Sequence, residues 1–575
     1  MNRRSFFYSL AAGVAVLLLI GISGYFWIVS QSPLSLVRFG SKTDPAAAMF
    51  VSKQAPVMVS LLVNPDKLES LQKLTTRAGA DKRSRDRLNQ LKTSLLADTG
   101  LDYQRDIQPW LGEEITLAVT SPDFDRDQTN GKQPGFLMVL ASKDPAISRE
   151  FLQLLFSKRA IAGRNLVSEQ YLGVNLISDT VLPLPDTSAR KPPPKKPVQT
   201  EYIAGAVVGD RVLFANHPKV LREAINNVQA VDLNLTSSSQ YQQALKSLPQ
   251  ERIGVAFLNL PSVAEWLGKQ SQMLTYTSQI VALELNRQGI LAQTTFIPAP
   301  EQEIASVSTV SQPVQALQYI PDATGLLISG SDLSNSKKTD LNLLWTQVTT
   351  VLSGSGNDAS KPITQLATLQ SWGIDLADVL GWVKGEYALG MLPHEVATPD
   401  WIFVVQKSDA TEQGIADLNA KATAKGLSIT PLTLGEQKIS AWTQLTTAPT
   451  NASTSERALL TLQAKVEGVA ASVGDYEIFT TSVEAMDAAL KAAKNNSLVN
   501  TEQFQSSLKM FPKQNQGYVY FDWRERPVLE RRVPILKLLE VAAQPFFEHL
   551  RSLTISSYGS ESGVLKGGIF FQLKP

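Results

Sequence analysis

Three histidines, His217, His394 and His549, are the only imidazoles in a chain of 575 residues that contains no cysteine. They stand far apart, without the His-x-x-x-His or His-Glu-x-x-His spacing that places two zinc ligands on one helix face. The plain reading is three surface histidines. The lack of cysteine removes disulfides, thiolate nucleophiles, cysteine-ligated zinc and iron–sulfur clusters together. Phosphate-cradling G-x-x-x-x-G-K-[ST] and G-x-G-x-x-G loops are missing, as is the G-x-S-x-G nucleophile elbow.

Two partial patterns remain. "SPDFDRDQTNGKQP" sets Asp123, Asp125 and Asp127 at the first three ligand positions of a calcium loop. Gln128 then replaces the required glycine and Pro134 the required glutamate, so a solvated hairpin loop is the simpler expectation. Ser506 and Lys509 have the Ser-x-x-Lys spacing of penicillin-binding enzymes, but the accompanying Ser-Asp-Asn and Lys-Thr-Gly elements do not occur. No catalytic residue, metal or cofactor is expected. A net charge of +1 gives no global attraction to nucleic acid, so none is expected as a partner.

The elements that would hold such residues are written twice. "GLDYQRDIQPWLGEEITLAV" from Gly100 matches "GIDLADVLGWVKGEYALGM" from Gly373, aligning Asp106 with Asp378, Trp110 with Trp382 and Glu114 with Glu386. "QYQQALKSLPQERIG" from Gln240 matches "QFQSSLKMFPKQNQG" from Gln503 without a gap. "AVVGDRVLFA" matches "ASVGDYEIFT", "FVSKQAPVMVSL" matches "YIPDATGLLISG", and "GILAQTTFI" matches "GVLKGGIFF", all in chain order. A repeat of about 270 residues is a pair of domains and not a solenoid. The paired aspartates read as helix caps, the tryptophans as core anchors, and the glutamates as partners for a lysine or for backbone amides.

Short apolar runs such as "VMVSLLV", "GFLMVLAS" and "RVLFA" read as strands, and Gly209-Asp210 and Gly474-Asp475 as hairpin turns between them. "HPKVLREAINNV" and "VEAMDAALKAA" have helical spacing, and "SSQYQQALKSLP" and "NTEQFQSSLKMFP" are capped in front and stopped by proline. Hairpins with interspersed helices predict an α+β fold with largely antiparallel sheet.

At the N-terminus, Arg3 and Arg4 precede an uncharged run that lasts until Arg38. Phe6 to Val29 is about 24 residues, enough to cross a bilayer core, with aromatic clusters at Phe6–Tyr8 and Tyr25–Trp27. This predicts an uncleaved single-pass anchor with a cytoplasmic N-terminus and an exported body. A cleaved signal peptide lacks an A-x-A site, and "NRRSFF" matches a twin-arginine export motif only at Arg3, Arg4 and Phe6. The expected organisation is a stub and transmembrane anchor at 1–30, a linker at 31–47, a first extracytoplasmic α+β repeat at 48–300, a linker at 301–311 and a second repeat at 312–575.

The aromatic-belted anchor leading into "QSPLSLV", the "FVSKQAPVMVSLL" strand, and the "GDRVLFA" and "GDYEIFT" hairpins together resemble the domain-of-unknown-function family 3352. That resemblance implies a bacterial, mainly cyanobacterial, membrane setting, either plasma membrane facing periplasm or thylakoid facing lumen. It implies no activity and transfers no functional residue.

Differences between the copies point to contact surfaces. The first alone has "VLPLPDTSARKPPPKKPVQT", where Arg190, Lys191, Lys195 and Lys196 flank three prolines in a stretch that cannot join a sheet. The second alone places Arg524, Arg526, Arg531 and Arg532 ahead of the apolar run from Ile535. A solvated loop and a core helix are the ordinary readings, and contact with an acidic protein or anionic lipid the functional ones. The expected function is that of a membrane-anchored binding or scaffold protein whose partners are the membrane itself and another membrane protein or anionic lipid. A carrier of lipid or another apolar ligand, and a hydrolase with an unrecognised site, are the alternatives.

Overall fold

The computed structural model describes residues 43–64, 102–180, 203–266, 276–299, 313–333, 381–449, 460–525 and 550–574, apart from 128, 130, 287, 395–397 and 562–563. The chain divides into two compact units, Met1–Glu303 and Ile304–Lys574.

In the first unit the strands are β1 (Val57–Leu61), β2 (Leu111–Ser121), β3 (Gly135–Ser142), β4 (Asn165–Tyr171), β5 (Val174–Thr180), β6 (Ile203–Val208), β7 (Arg211–Ala215), β8 (Gly254–Asn259), β9 (Tyr276–Asn286) and β10 (Gly289–Pro298). Their antiparallel pairings give the order β4-β5-β6-β7-β3-β2-β1-β8-β9-β10. The second unit has β11 (Leu326–Gly330), β12 (Tyr387–Leu392), β13 (Asp400–Gln406), β14 (Ser428–Leu434), β15 (Gln437–Pro449), β16 (Leu460–Val473), β17 (Tyr476–Thr480), β18 (Gly517–Asp522), β19 (Leu550–Glu561) and β20 (Val564–Leu573). Here the order is β14-β15-β16-β17-β13-β12-β11-β18-β19-β20, the same path strand for strand.

Seven α-helices accompany these twenty strands among the described residues. They are α1 (Pro145–Ile161), α2 (Pro218–Gln229), α3 (Ser239–Lys246), α4 (Leu260–Trp266), α5 (Asp409–Ala424), α6 (Val483–Lys491) and α7 (Glu502–Leu508). Side-chain caps start six of them: Asp144, His217, Ser238, Ser408, Ser482 and Thr501 each accept from a first-turn amide. In the first unit α1 packs Phe151, Leu152 and Phe156 against one face of the sheet, with Trp110, Val212 and Ile177. Arg222 and Asn226 of α2 reach Glu169 and Tyr171 of β4, which alternate with the residues facing α1, so α2 covers the opposite face.

Two expectations are corrected here. The fold is mostly antiparallel sheet with few helices, where the sequence predicts an α+β fold of largely antiparallel sheet with interspersed helices. The extra strands, β4, β5, β8 and β9 with their counterparts, include polar ones whose faces are both wet, so they lack the alternation that marks a strand. The expected N-terminal transmembrane helix is corrected to what is seen: among the described residues no helix is long and apolar enough to cross a membrane. The longest, α1, has 17 residues and carries Arg149, Glu150, Lys158 and Arg159. The apolar run 6–29 lies outside the described residues. The single-pass, outward-facing placement expected from the sequence therefore has no spanning helix behind it among the described residues.

Equivalent positions are held by equivalent chemistry. Gly209, at φ +60°, and Gly474, at φ +55°, begin the two-residue turns of β6–β7 and β16–β17. Tyr241 meets Phe257 edge-on at 5.1 Å, and Phe504 meets Tyr520 at 5.1 Å, with the hydroxyl moved to the other ring. Trp110 is buried against Phe151 of α1 at 4.9 Å. In the second unit the helix presents Gly414 instead, where a Cβ would stand 2.4 Å from the Trp382 ring. One indole position is thus filled by ring-on-ring contact in one unit and by ring-on-backbone contact in the other.

Candidate functional site

The repeated glutamates serve backbone amides. Glu114 Oε1 accepts from Ala47 N at 2.9 Å, and Glu386 Oε2 from Gln315 N at 2.7 Å. Each amide belongs to the short 3-10 helix before the unit's first strand, Ala46–Phe50 or Gln315–Tyr319. These carboxylates satisfy helix-start donors that would otherwise be orphaned. Asp106 is held down to about 2 by the Arg105 guanidinium, and the Asp106 carbonyl accepts the Trp110 indole N–H at 2.9 Å. Asp378 lies outside the described residues.

The residues that suggested chemistry are occupied structurally. His217 Nδ1 accepts from Lys219 N at 3.1 Å and its ring lies 4.5 Å from Phe124. Burial, with Arg222 and Lys219 adding to it, lowers its pKa, which favours the neutral ring a cap requires. Asp123, Asp125 and Asp127 accept from the amides of Gln133, Asp127 and Thr129, fixing the loop they lie in. Among the described residues no group of three or more His, Asp or Glu side chains is placed to hold a metal. Ser506 Oγ donates to the carbonyls of Glu502 and Gln503, and Lys509 points into solvent, so the Ser-x-x-Lys spacing does not bring a base to a nucleophile.

One meeting of histidine, aspartate and serine is invisible in the sequence. His394 Nε2 lies 2.9 Å from Asp400 Oδ2, to which Ser482 Oγ also donates at 2.9 Å. Here the carboxylate stands between hydroxyl and imidazole. Nucleophile activation needs the imidazole in the middle. Ser482 Oγ, moreover, caps α6. His549 lies outside the described residues.

Of the basic contact candidates, Arg190, Lys191, Lys195, Lys196, Arg526, Arg531 and Arg532 lie outside the described residues. Arg524 is engaged already: its Nη2 meets Asp522 Oδ2 at 2.6 Å and its Nε meets Oδ1 at 3.0 Å. Asp522 is nearly buried, so releasing Arg524 to an outside anion would leave a buried carboxylate uncompensated.

What the sequence did not suggest is an exposed apolar surface at one end of each sheet. Among the described residues β4 and β14 each pair on one side only, with β5 and β15. Leu166, Val167 and Leu172 are exposed on the β4–β5 hairpin, and Ile429, Leu432 and Leu445 on β14–β15. The turn of the first hairpin is Leu172-Gly173, with φ of +51° and +79°. The second uses Gly435 at φ +62° in the equivalent first position. Pro431, opposite Ser440, removes one donor from β14, a device that blunts an edge, whereas β4 has no proline. The available signal was "YLGV", where leucine occupies a turn position suited to glycine or asparagine.

A buried carboxyl offers a separate test of the first unit. Burial pushes Glu284 on β9 up to about 7 from an ordinary 4.5, against a lowering hydrogen bond from Gln293. One of its carboxyl oxygens, Oε1, is buried without a partner. A raised carboxyl pKa means the folded state holds the proton more tightly than the unfolded chain. Its stabilising contribution is complete below about 4.5 and is lost as pH rises through about 7. Glu284→Gln should therefore narrow the difference in unfolding free energy between pH 5 and pH 8. Denaturant melts at both pH values check this, and an unchanged difference would contradict it.

The profile of a family described as protein of unknown function (DUF3352) matches residues 10–573. No curated protein matches the chain. Among solved structures, crystal form I of TP0453 matches at 12% identity and a TM-score of 0.22, covering 46% of this chain and 81% of its own. Crystal form III of TP0453 matches at 11% identity and a TM-score of 0.23, covering 46% and 82%. At that distance the likeness says nothing about what this chain does.

Proposed function

We propose that this chain, which belongs to the DUF3352 family of proteins of unknown function, works by binding other proteins rather than by turning over a substrate. The edge hairpins β4–β5 and β14–β15 make the contact. Leu172 carries the reading. A leucine at φ +51° is strained by roughly 1 kcal/mol, and half of its apolar surface is exposed. Neither property helps the fold. Both are relieved by asparagine, which tolerates the left-handed region and hydrates well.

Strand β4 supports the same reading. Its outer edge offers backbone donors and acceptors, with Leu166 and Val167 on its two faces to grip an added strand. Strand addition satisfies the edge, and the apolar pair supplies burial that backbone bonding in water does not.

Leu172→Asn separates folding from function. Unfolding free energy should hold or rise by about 0.5–1 kcal/mol as the strain is relieved. A photo-crosslinker at exposed Gln170 in the full chain, expressed in its native host, should give discrete adducts that the same substitution abolishes. Loss of stability in the variant, or adducts that persist in it, would refute the proposal.

A further inference from the structure

We infer that helix α1 is a self-association surface, against which a second copy of this chain lays its own α1 antiparallel about a two-fold axis at Leu154. The inference uses no residue of the edge hairpins as its contact centre and stands whether or not they bind a partner.

The observation is a stripe of apolar side chains turned away from the core. Ile147, Leu154 and Ile161 are 39%, 40% and 88% exposed on a helix whose other large apolar residues, Phe151, Leu152, Leu155 and Phe156, are buried. At 100° per residue these three lie within about 40° of one another, and Glu150 and Lys158 widen the stripe to about 80°. The row is symmetric about its middle. Ile147 and Ile161 stand seven residues either side of Leu154, and Glu150 and Lys158 four either side.

That symmetry specifies the occupant. An antiparallel two-fold sets Leu154 on its own counterpart, Ile147 against the partner's Ile161, and Glu150 beside the partner's Lys158, twice over. A parallel pairing in register would set glutamate beside glutamate and lysine beside lysine. Lys158 pairs with Asp106 in its own chain at 3.8 Å, and its side chain is partly exposed at the rim of the stripe. Rim charges of this kind contribute little affinity but fix register and orientation.

The second unit lacks the stripe. Matching the buried positions Ser148, Phe151 and Leu155 with Thr411, Gly414 and Leu418 places Ala410, Asp417 and Ala424 where the stripe would be. Among the described residues α1 alone carries such a stripe, and an isologous contact through it closes at two copies. Leu166 is exposed on the same side of the sheet as α1, because it alternates with the β4 residues that face α2. The contact is small beside a standard interface of about 1,600 Å², so association should be reversible and concentration-dependent.

The cysteine-free sequence makes the test clean. In the full chain, Leu154→Cys should form a disulfide dimer under mild oxidation. Ile147→Cys and Ile161→Cys should each do so at least tenfold more slowly, because like positions then lie about 21 Å apart along the helices, beyond disulfide reach. Mixing the Ile147→Cys and Ile161→Cys proteins should restore fast crosslinking. Glu150→Lys added to Leu154→Cys should slow dimer formation, and Glu150→Lys with Lys158→Glu should recover it. Equal rates for all three single cysteines, no dimer with Leu154→Cys, or no gain on mixing would overturn the inference. The mixing arm changes only exposed side chains, so a folding defect at Lys158 cannot mask the outcome.

Discussion

Gly517→Ala is expected to destabilise the second unit by about 4 kcal/mol or more, the range reserved for backbone strain combined with a steric clash. Gly517 opens β18 at φ +113°, a region that L-residues rarely enter. A Cβ there would stand 1.9 Å from the Ser329 carbonyl oxygen and 2.7 Å from Gly330 Cα. Both are backbone atoms of β11, the strand that β18 pairs with, so no side-chain rotation relieves the clash. Asn515 Oδ1 and Ser556 Oγ bond the Gly517 amide and carbonyl at 2.9 Å each, which holds the residue in place. Relief therefore means parting β11 from β18. Amide exchange over residues 326–330 and 517–522 should accelerate by orders of magnitude. Gly254 begins the equivalent strand without a positive φ, so alanine there escapes the conformational part of the penalty. Unchanged exchange in Gly517→Ala would contradict the account.

Trp110→Ala should cost about 3–5 kcal/mol, as expected for truncating a fully buried indole. The ring is inaccessible, lies 4.9 Å from Phe151, and is packed with Leu61 and Val212. Its removal leaves a cavity that the rigid sheet and the capped helix α1 cannot close. Trp110→Phe keeps most of the packing but leaves the Asp106 carbonyl without its indole donor, a loss of about 1–2 kcal/mol. Trp382→Ala should cost less, since that ring is only half-buried and rests on Gly414. Equilibrium unfolding of the three variants tests the order. A Trp382→Ala loss equal to that of Trp110→Ala would show that the indoles are equivalent in energy as well as in position.

The tryptophan pair also shows how far sequence reading reaches. A repeated indole among repeated polar residues is legible as a core anchor. Whether it meets a phenylalanine or a glycine depends on a helix whose approach comes from distant residues. The paired glutamates were open between a lysine and backbone amides, and the fold assigned them to Ala47 and Gln315. The basic clusters are conspicuous in sequence because charge is, yet the one described member, Arg524, is engaged with Asp522. Leu172, Leu154 and Ile161 are inconspicuous, because an isolated apolar residue looks alike in a core and on a surface.

The sequence by itself determined the doubling of the chain, the Gly209 and Gly474 turns, the capped starts of α3 and α7, and the lack of any thiol chemistry. The turns and caps are local, since each depends on residues within a few positions of one another, and the doubling is legible because the chain can be compared with itself. The tertiary structure decided the order of the ten strands in each unit, the place of β4 and β14 on one sheet end, and the exposure of the stripe on α1. Strand order depends on which distant segments pair, and periodicity carries no record of that choice. Exposure is settled only when neighbours arrive. On β4 none arrives at the outer edge among the described residues, so Leu166 and Val167 stay exposed on its two faces.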